Sequence, residues 1–317
     1  MKLPFKKKRP LISVVIIAYN MAREIPRTVQ SFLSPYQTGI APDDVEVIVM
    51  ENGSSHPVPE NIIASWPDNV RYIKIEAGEA KSSPAHALNQ GVKLAHAPWV
   101  CPVIDGARMV TPGVFQAVKE LISVAPNPVI TTMGYHLGHK PQQQAVLEGY
   151  NQIEEDKLLQ SINWPQTPYK LFDIASLGGS AKYAWLAPIS ESNVLVLKKR
   201  FYAELGGYDE AFDIPGGGLV NLDFFYRTVM HPTSRYILLI GEASFHQYHG
   251  GVTTSRSVNT PDPEDKGRTT WEIYNAQYKT LRGHPFRPPD KTPTLYGEMS
   301  DAVRRILIKA ATALDNA

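Results

Sequence analysis

Residues 12–20, ISVVIIAYN, and residues 45–55, VEVIVMENGSS, decide the fold of this 317-residue chain. Each is a run of β-branched and apolar residues that stops abruptly in polar ones, without alternation. Strands covered on both faces read this way, whereas a strand with one wet face alternates apolar and polar positions. Between them, residues 22–33 carry apolar side chains at the helical spacing of Ile25, Val29, Phe32 and Leu33; Pro35 closes the pattern and Asn20 is placed to cap it. Two parallel strands joined by a helix follow, and in open α/β sheets ligands sit beyond the carboxyl ends of the strands. Those ends are Ala18-Tyr19-Asn20 and Glu51-Asn52-Gly53-Ser54, a stacking and hydrogen-bonding set suited to a nucleotide.

The pattern continues outward. Residues 70–76 (VRYIKIE) predict a third strand, and residues 85–95 (AHALNQGVKLA) a helix packing Leu88, Val92 and Leu94 inward. Residues 98–105 (PWVCPVID) give a fourth apolar strand that stops at an acid, and the turn Thr111-Pro112-Gly113 opens a helix over 114–123. Further strands are expected at 127–135, 192–197 and 236–240, with a helix at 222–230 and a polar, histidine-bearing loop at 245–251 (FHQYHGG). Strand and helix alternation at this spacing predicts an α/β fold with right-handed crossovers and a mainly parallel, doubly wound, Rossmann-like sheet. Residues 138–183, rich in Gln, Pro and aromatics with weak periodicity, read as a loop-rich insertion that shapes a binding site. The Pro-rich and charged stretches 259–268 and 284–294 read as mobile connections.

Lys and Arg number 32 against 31 for Asp and Glu, so no global charge points to nucleic acid. One cysteine, Cys101, excludes an internal disulfide framework and a zinc site built on several cysteines. No run approaches the roughly 18 apolar residues of a membrane span, and residues 1–10 lack the apolar core of a signal peptide, so a cytoplasmic protein is expected. Two basic features leave room for peripheral contact with the inner face of the membrane: Lys6-Lys7-Lys8-Arg9, and residues 301–314 (DAVRRILIKAATAL), a basic amphipathic helix.

Five ordered motifs between Ile12 and about Gly251 together resemble the family 2 glycosyltransferases, which have the nucleotide-sugar-binding fold called GT-A. They are Ala18-Tyr19-Asn20; Glu51-Asn52-Gly53-Ser54; Ala87-Leu88-Asn89-Gln90-Gly91; Asp105-Gly106-Ala107; and the block from Gly206-Gly207-Tyr208-Asp209-Glu210 through the glycine loop to Asn221-Leu222-Asp223-Phe224-Phe225-Tyr226-Arg227. The resemblance implies a basic tail at 1–10, a GT-A domain at 11–258 and a C-terminal extension with the amphipathic helix at 259–317. It implies transfer of a sugar from a nucleoside diphosphate sugar, UDP-sugar favoured, to a glycan or lipid-linked acceptor hydroxyl in surface polysaccharide or glycan synthesis.

Residue by residue, Ala18, Tyr19, Asn20, Glu51, Asn89, Asp105 and Arg108 are the expected nucleotide contacts. Tyr19 offers a face for the base, and the Glu51 carboxylate a charge-assisted acceptor for a ring N–H. Ala107 stands where the family has its second acid, which normally binds Mg²⁺ or Mn²⁺. Three arrangements remain open: a metal held by Asp105 with His246 or His249, a diphosphate neutralised by Arg108 or Lys without metal, or loss of catalysis. Counting back from Arg227, the usual base falls on Asn221, an amide, with Asp223 the nearest acid; a retaining family with Asn-x-Glu here leaves inverting and retaining chemistry both open. The alternative class is a non-catalytic GT-A module that binds nucleotide or glycan or scaffolds a synthesis complex. A nucleotidyltransferase would want a glycine-rich phosphate loop after the first strand, and residues 18–27 contain no glycine.

Overall fold

The computed structural model describes residues 8–251, 259, 261, 262, 265 and 267–315. The chain runs β1 (Ile12–Ala18), α1 (Ile25–Phe32), β2 (Val45–Asn52), α2 (Glu60–Ile63), β3 (Val70–Ile75), α3 (Ala85–Leu94), β4 (Trp99–Val103), β5 (Arg108–Val110), α4 (Val114–Leu121) and β6 (Asn127–Leu137). It continues through α5 (Gln142–Ala145), α6 (Gln152–Ser161), β7 (Ala175–Leu177), β8 (Leu195–Lys198), α7 (Lys199–Glu204), α8 (Val220–Met230) and β9 (Ser234–His246). A helix at Thr270–Arg282, β10 (Thr294–Gly297) and a helix at Asp301–Asp315 complete it.

The main path of the sheet is β10-β9-β6-β8-β4-β1-β2-β3, with β5 against β9 and β7 against β6. β1 pairs in parallel with β2 and β4, so Ala18 lies beside Glu51. All seven residues of β1 are buried. Val15 and Ile17 face a cluster that includes Leu88 and Val92 of α3. Val14 and Ile16 face another that includes Val29 and Phe32 of α1. This explains the unbroken apolar run: both faces are covered, and each such Val or Ile contributes about 1.5–3 kcal/mol on leaving water. β8 is the one strand of the main path that runs against its neighbours β4 and β6.

Several local expectations give way. Asn20 does not cap α1, which begins at Ile25 after Glu24 without a side-chain cap; Asn20 has φ 53 and belongs to the turn after β1. Leu94 is 43% exposed rather than inward, because α3 ends there and its buried stripe is carried by Leu88 and Val92. The stretch 138–183 is not simply loop, since it contains α6, capped by Asn151, whose side chain accepts from Ile153 and Glu154 N–H. The last strand does not stop at Ile240: β9 continues to His246, with a register shift between Thr131 and Met133 of β6, so Phe245 and His246 are strand residues rather than loop.

Residues 284–293 are tied down, Phe286 N–H donating to Asn275 Oδ1 and Lys291 Nζ donating to the carbonyls of Val229 and Ser234. Of the basic cluster, Lys6 and Lys7 lie outside the described residues, as does part of 259–268. Lys8 pairs with Asp44, and Arg9 Nε donates to the His96 carbonyl at 2.7 Å. The helix Asp301–Asp315 buries Val303 and Ala310 and leaves Ile308 exposed. Among the described residues, no helix is long and apolar enough to cross a membrane.

Candidate functional site

The turns after β1 and β2 are clamped together. The Asn20 N–H donates to Ser54 Oγ at 2.8 Å, and Asn20 Oδ1 accepts from Ser55 Oγ at 3.1 Å and His56 N–H at 2.9 Å. Ser54 in turn donates to Glu51 Oε1. Glu51 Oε2 accepts from Tyr72 OH at 2.8 Å and Val58 N–H at 3.2 Å. The Glu51 carboxylate, expected to face a ring N–H, is therefore 1% exposed and occupied in holding the 53–58 loop. Tyr19, by contrast, is 56% exposed at the same edge, so its ring is free to receive a planar ligand.

One turn further, β4 delivers Asp105. A Cβ on Gly106 would lie 2.1 Å from the Ile17 carbonyl, so only glycine lets the chain cross β1 here. Asp105 Oδ2 lies 2.8 Å from His246 Nε2 and 3.6 Å from Arg108 Nη2, and Oδ1 lies 3.5 Å from His249 Nε2. The ligand atoms of Asp105, His246 and His249 all fall within 4.8 Å of one another. The two histidines reach Asp105 because β5 pairs antiparallel with β9, placing Arg108 opposite His246. Ala107 is wholly buried among apolar side chains and offers no ligand.

The tautomer of His246 follows from its neighbour. Gln142 Nε2 donates to the His246 carbonyl at 3.0 Å, which turns Gln142 Oε1 toward His246 Nδ1 at 2.6 Å. An amide oxygen only accepts, so Nδ1 carries the proton and Nε2 a lone pair. Burial pushes the imidazolium pKa down to about 4, so the ring is neutral. Burial would raise Asp105, but its interactions with His246 and His249, and then with Arg108, hold it well below the ordinary carboxylate range. A lone pair thus faces an ionised carboxylate at 2.8 Å, and Nε2 has no hydrogen-bond partner despite being buried. A divalent cation would satisfy that pair of acceptors, and one carboxylate with two imidazoles fits Mn²⁺ better than Mg²⁺, which prefers oxygen ligands. Gln142 would be the outer partner that fixes ring orientation.

The loop carrying His249 is held from below by α6. Glu155 Oε2 accepts from the Tyr248 N–H at 2.7 Å and from Tyr150 OH at 3.2 Å, and Oε1 accepts from Arg23 at 3.1 Å. Arg23 is shared with Glu24 and Asp156, so burial wins and the Glu155 pKa is pushed up to about 7. Its ordinary value is 4.5. Between these two pH values the folded chain holds a proton that the unfolded chain has lost, so stability declines as pH rises through that window and stays reduced above it. The urea midpoint of the parent should fall from pH 5 to pH 8 more steeply than that of Glu155→Gln, which cannot ionise. Equal slopes would remove Glu155 as the source.

The remaining expected site residues fall elsewhere. Asp223 is fully buried; Oδ1 accepts from Arg282 Nε at 2.7 Å and Oδ2 from Arg227 Nε at 2.8 Å and Arg282 Nη2 at 2.9 Å. Locked between two guanidiniums, it is not placed to take a proton from a substrate. Asn221 Nδ2 donates to Glu191 Oε2 at 2.7 Å and Asn193 Oδ1 at 3.2 Å, while Oδ1 accepts from Tyr208 OH. Asn89 is spent on the turn at Gly207: Nδ2 donates to the Tyr208 carbonyl at 2.8 Å and Glu210 at 2.9 Å, and Oδ1 accepts from Tyr202 OH at 2.6 Å. It lines, with Arg227, Arg282 and Glu210, a cavity of about 670 Å³. Sequence reading missed Gln142 and Glu191, which sit in stretches without a motif. The pairing of Asn221 with a carboxylate had no signal in the sequence.

Comparison with known proteins bears on the family and the fold. Residues 13–159 match the family model described as Glycosyl transferase family 2. Validoxylamine A glucosyltransferase of Streptomyces hygroscopicus subsp. limoneus is 25% identical over 233 residues, 70% of this chain and 48% of that protein. The succinoglycan biosynthesis protein ExoO of Rhizobium meliloti is 33% identical over 123 residues, 38% of this chain and 32% of its own. The chain thus spans about half the length of the first of these relatives. Among solved structures, S. aureus TarS 1-349 in complex with UDP-GlcNAc superposes with a TM-score of 0.50 at 12% identity, covering 85% of this chain and 66% of that one, a likeness of fold.

Proposed function

We propose, from the match of residues 13–159 to the family 2 glycosyltransferase model, that the chain moves a sugar from a UDP-sugar to an acceptor hydroxyl on a glycan or lipid-linked carrier. The observation that carries the reading is the convergence of Asp105, His246 and His249 beside the strand ends that hold Tyr19. Tyr19 stacks on the base, and the Asn20–Ser54–Glu51 clamp fixes the loop against which the base lies. Asp105, His246 and His249 would hold Mn²⁺ or Mg²⁺, and Arg108, 6% exposed, adds a fixed positive charge beside them. The chemistry such an ion supplies is neutralisation of charge on the departing diphosphate.

The relatives lend support of a limited kind. Validoxylamine A glucosyltransferase carries a glucosyl transfer in its name, and ExoO a role in succinoglycan biosynthesis. Transfer of a hexose in polysaccharide or glycan assembly is the corresponding proposal for this chain, which we divide at residues 11–258 for the transferase and 259–317 for the extension.

One observation favours a second reading, a module that binds donor without turning it over: Asp223 is locked in ion pairs and Asn221 is an amide. The purified chain incubated with a panel of nucleotide sugars, with and without Mn²⁺, separates the two. Release of nucleoside diphosphate that requires the metal and prefers a uridine donor is expected. Tight nucleotide binding with no release from any donor would leave only the binding module.

A further inference from the structure

Asn221 carries an amide where the family pattern puts the proton acceptor, and what it touches is a carboxylate, Glu191 Oε2 at 2.7 Å. Resting on the sugar-transfer reading above, we propose that Glu191 is the general base of the reaction, supplied from the approach to β8 rather than from α8.

Three features place Glu191 for that role. First, the register Trp99 with Lys198 and Val100 with Leu197 runs β8 back along β4, so the residues that precede β8 lie at the sheet edge where β4 delivers Asp105. Second, the backbone beside Glu191 is tied to the metal-ligating corner. The Ser190 N–H donates to the Ser180 carbonyl at 3.1 Å, and Gly178, two residues earlier, donates to the Gly134 carbonyl at 3.2 Å. A Cβ on Gly178 would lie 3.5 Å from His136 Nε2, and the His136 ring centroid is 5.5 Å from that of His246. Third, the carboxylate is oriented and half of it is free. Asn221 Nδ2 faces two acceptors, Glu191 and Asn193, which fixes the amide so that its oxygen accepts from the buried Tyr208 OH at 3.2 Å. Among the described residues no protein group donates to Glu191 Oε1, and the residue is partly exposed.

The step balances without further reagents. The acceptor O–H proton passes to Glu191 Oε1 as the acceptor oxygen bonds the anomeric carbon. The bond from that carbon to the diphosphate oxygen breaks, and its electron pair leaves with the nucleoside diphosphate. A single displacement of this kind inverts the anomeric centre. Tyr208 and Asn221 are positioning residues, acting through the orientation of the carboxylate.

The test uses the full chain with Mn²⁺, whichever nucleotide sugar of the panel turns over, and water or methanol as the acceptor. Glu191→Gln keeps the shape and an acceptor for Asn221 but cannot take a proton. Its kcat is expected to fall by about 10²–10⁴-fold, with the donor Kd within about threefold of the parent. Asn221→Asp added to Glu191→Gln restores a carboxylate at the usual family position and should recover at least about tenfold of the loss. The methyl glycoside formed by the parent should carry the anomeric configuration opposite to the donor. A Glu191→Gln variant within threefold of the parent in kcat, loss of donor binding along with turnover, or a retained configuration would each overturn the assignment of Glu191 alone. A parent chain inert toward every donor would overturn it together with the sugar-transfer reading.

Discussion

Asp105→Asn is expected to abolish the stabilisation that Mn²⁺ confers and to lower donor turnover by about a thousandfold, the scale of losing a major electrostatic contact to the departing group. The substitution preserves volume and removes one charge. In the parent, the Asp105 carboxylate and the His246 Nε2 lone pair face each other at 2.8 Å and need something positive between them. In the variant, the new amide nitrogen can donate to Nε2, so the site becomes self-satisfied and loses its reason to bind a cation. At a hundred times its Kd, a ligand specific for the folded state adds about 2.7 kcal/mol of stability. The parent should therefore melt measurably higher with Mn²⁺ than with EDTA, and the variant should not. Gln142→Ala, which frees the His246 ring, should weaken Mn²⁺ by about 10–100-fold while sparing the ligands themselves. If Asp105→Asn binds Mn²⁺ as tightly as the parent, the three residues are not the metal site, whatever happens to turnover.

How much of this could be read from sequence depends on which physical signal each residue carried. The central strands were legible because burial on both faces leaves only apolar residues in β1, β2 and β4, and the polar stops that follow them mark the sheet edge. Asp105 was legible for the same reason, as the acid that ends an apolar run. His246 was recognised as a candidate ligand but was misplaced in a loop. Gly241, Glu242 and Ser244 interrupt the apolar pattern of β9, and only the pairing with β5 and β6 carries the strand through to His246. Gln142, Glu155 and Glu191 carried no local signal at all. Each acts through a partner more than thirty residues away or on another element, His246, Arg23 and Asn221 respectively, and such pairings are created by the sheet order rather than by spacing. Glu51 shows the converse: its position was read correctly, but its carboxylate is bound by Ser54, Val58 and Tyr72, which no periodicity announces.

Asp223→Ala is expected to destabilise the fold by about 3 kcal/mol, the lower end of the cost of breaking a buried ion pair, because both arginines keep about a quarter of their surface in water. The carboxylate is wholly buried and accepts three hydrogen bonds from Arg227 and Arg282. Hydrogen bonding to Asp223 is the largest influence raising the Arg282 pKa. Removing it leaves Arg282 with Asp209, at 2.7 Å, and the Phe212 ring, and leaves Arg227 with the carbonyls of Leu205 and Gly207 and the Phe224 ring. Since Arg282 ends the helix Thr270–Arg282, the same loss should loosen that helix from α8 and show as faster amide exchange in it. A catalytic Asp223 would behave differently, losing turnover at unchanged urea midpoint. The double variant Asp223→Ala with Arg282→Met decides between the two. If the cost comes from an uncompensated guanidinium, removing that charge as well should return roughly half or more of the stability, a coupling that two independent sites cannot show. Additive losses would mean instead that Asp223 contributes through α8 itself, as an acid in the helix's first turn.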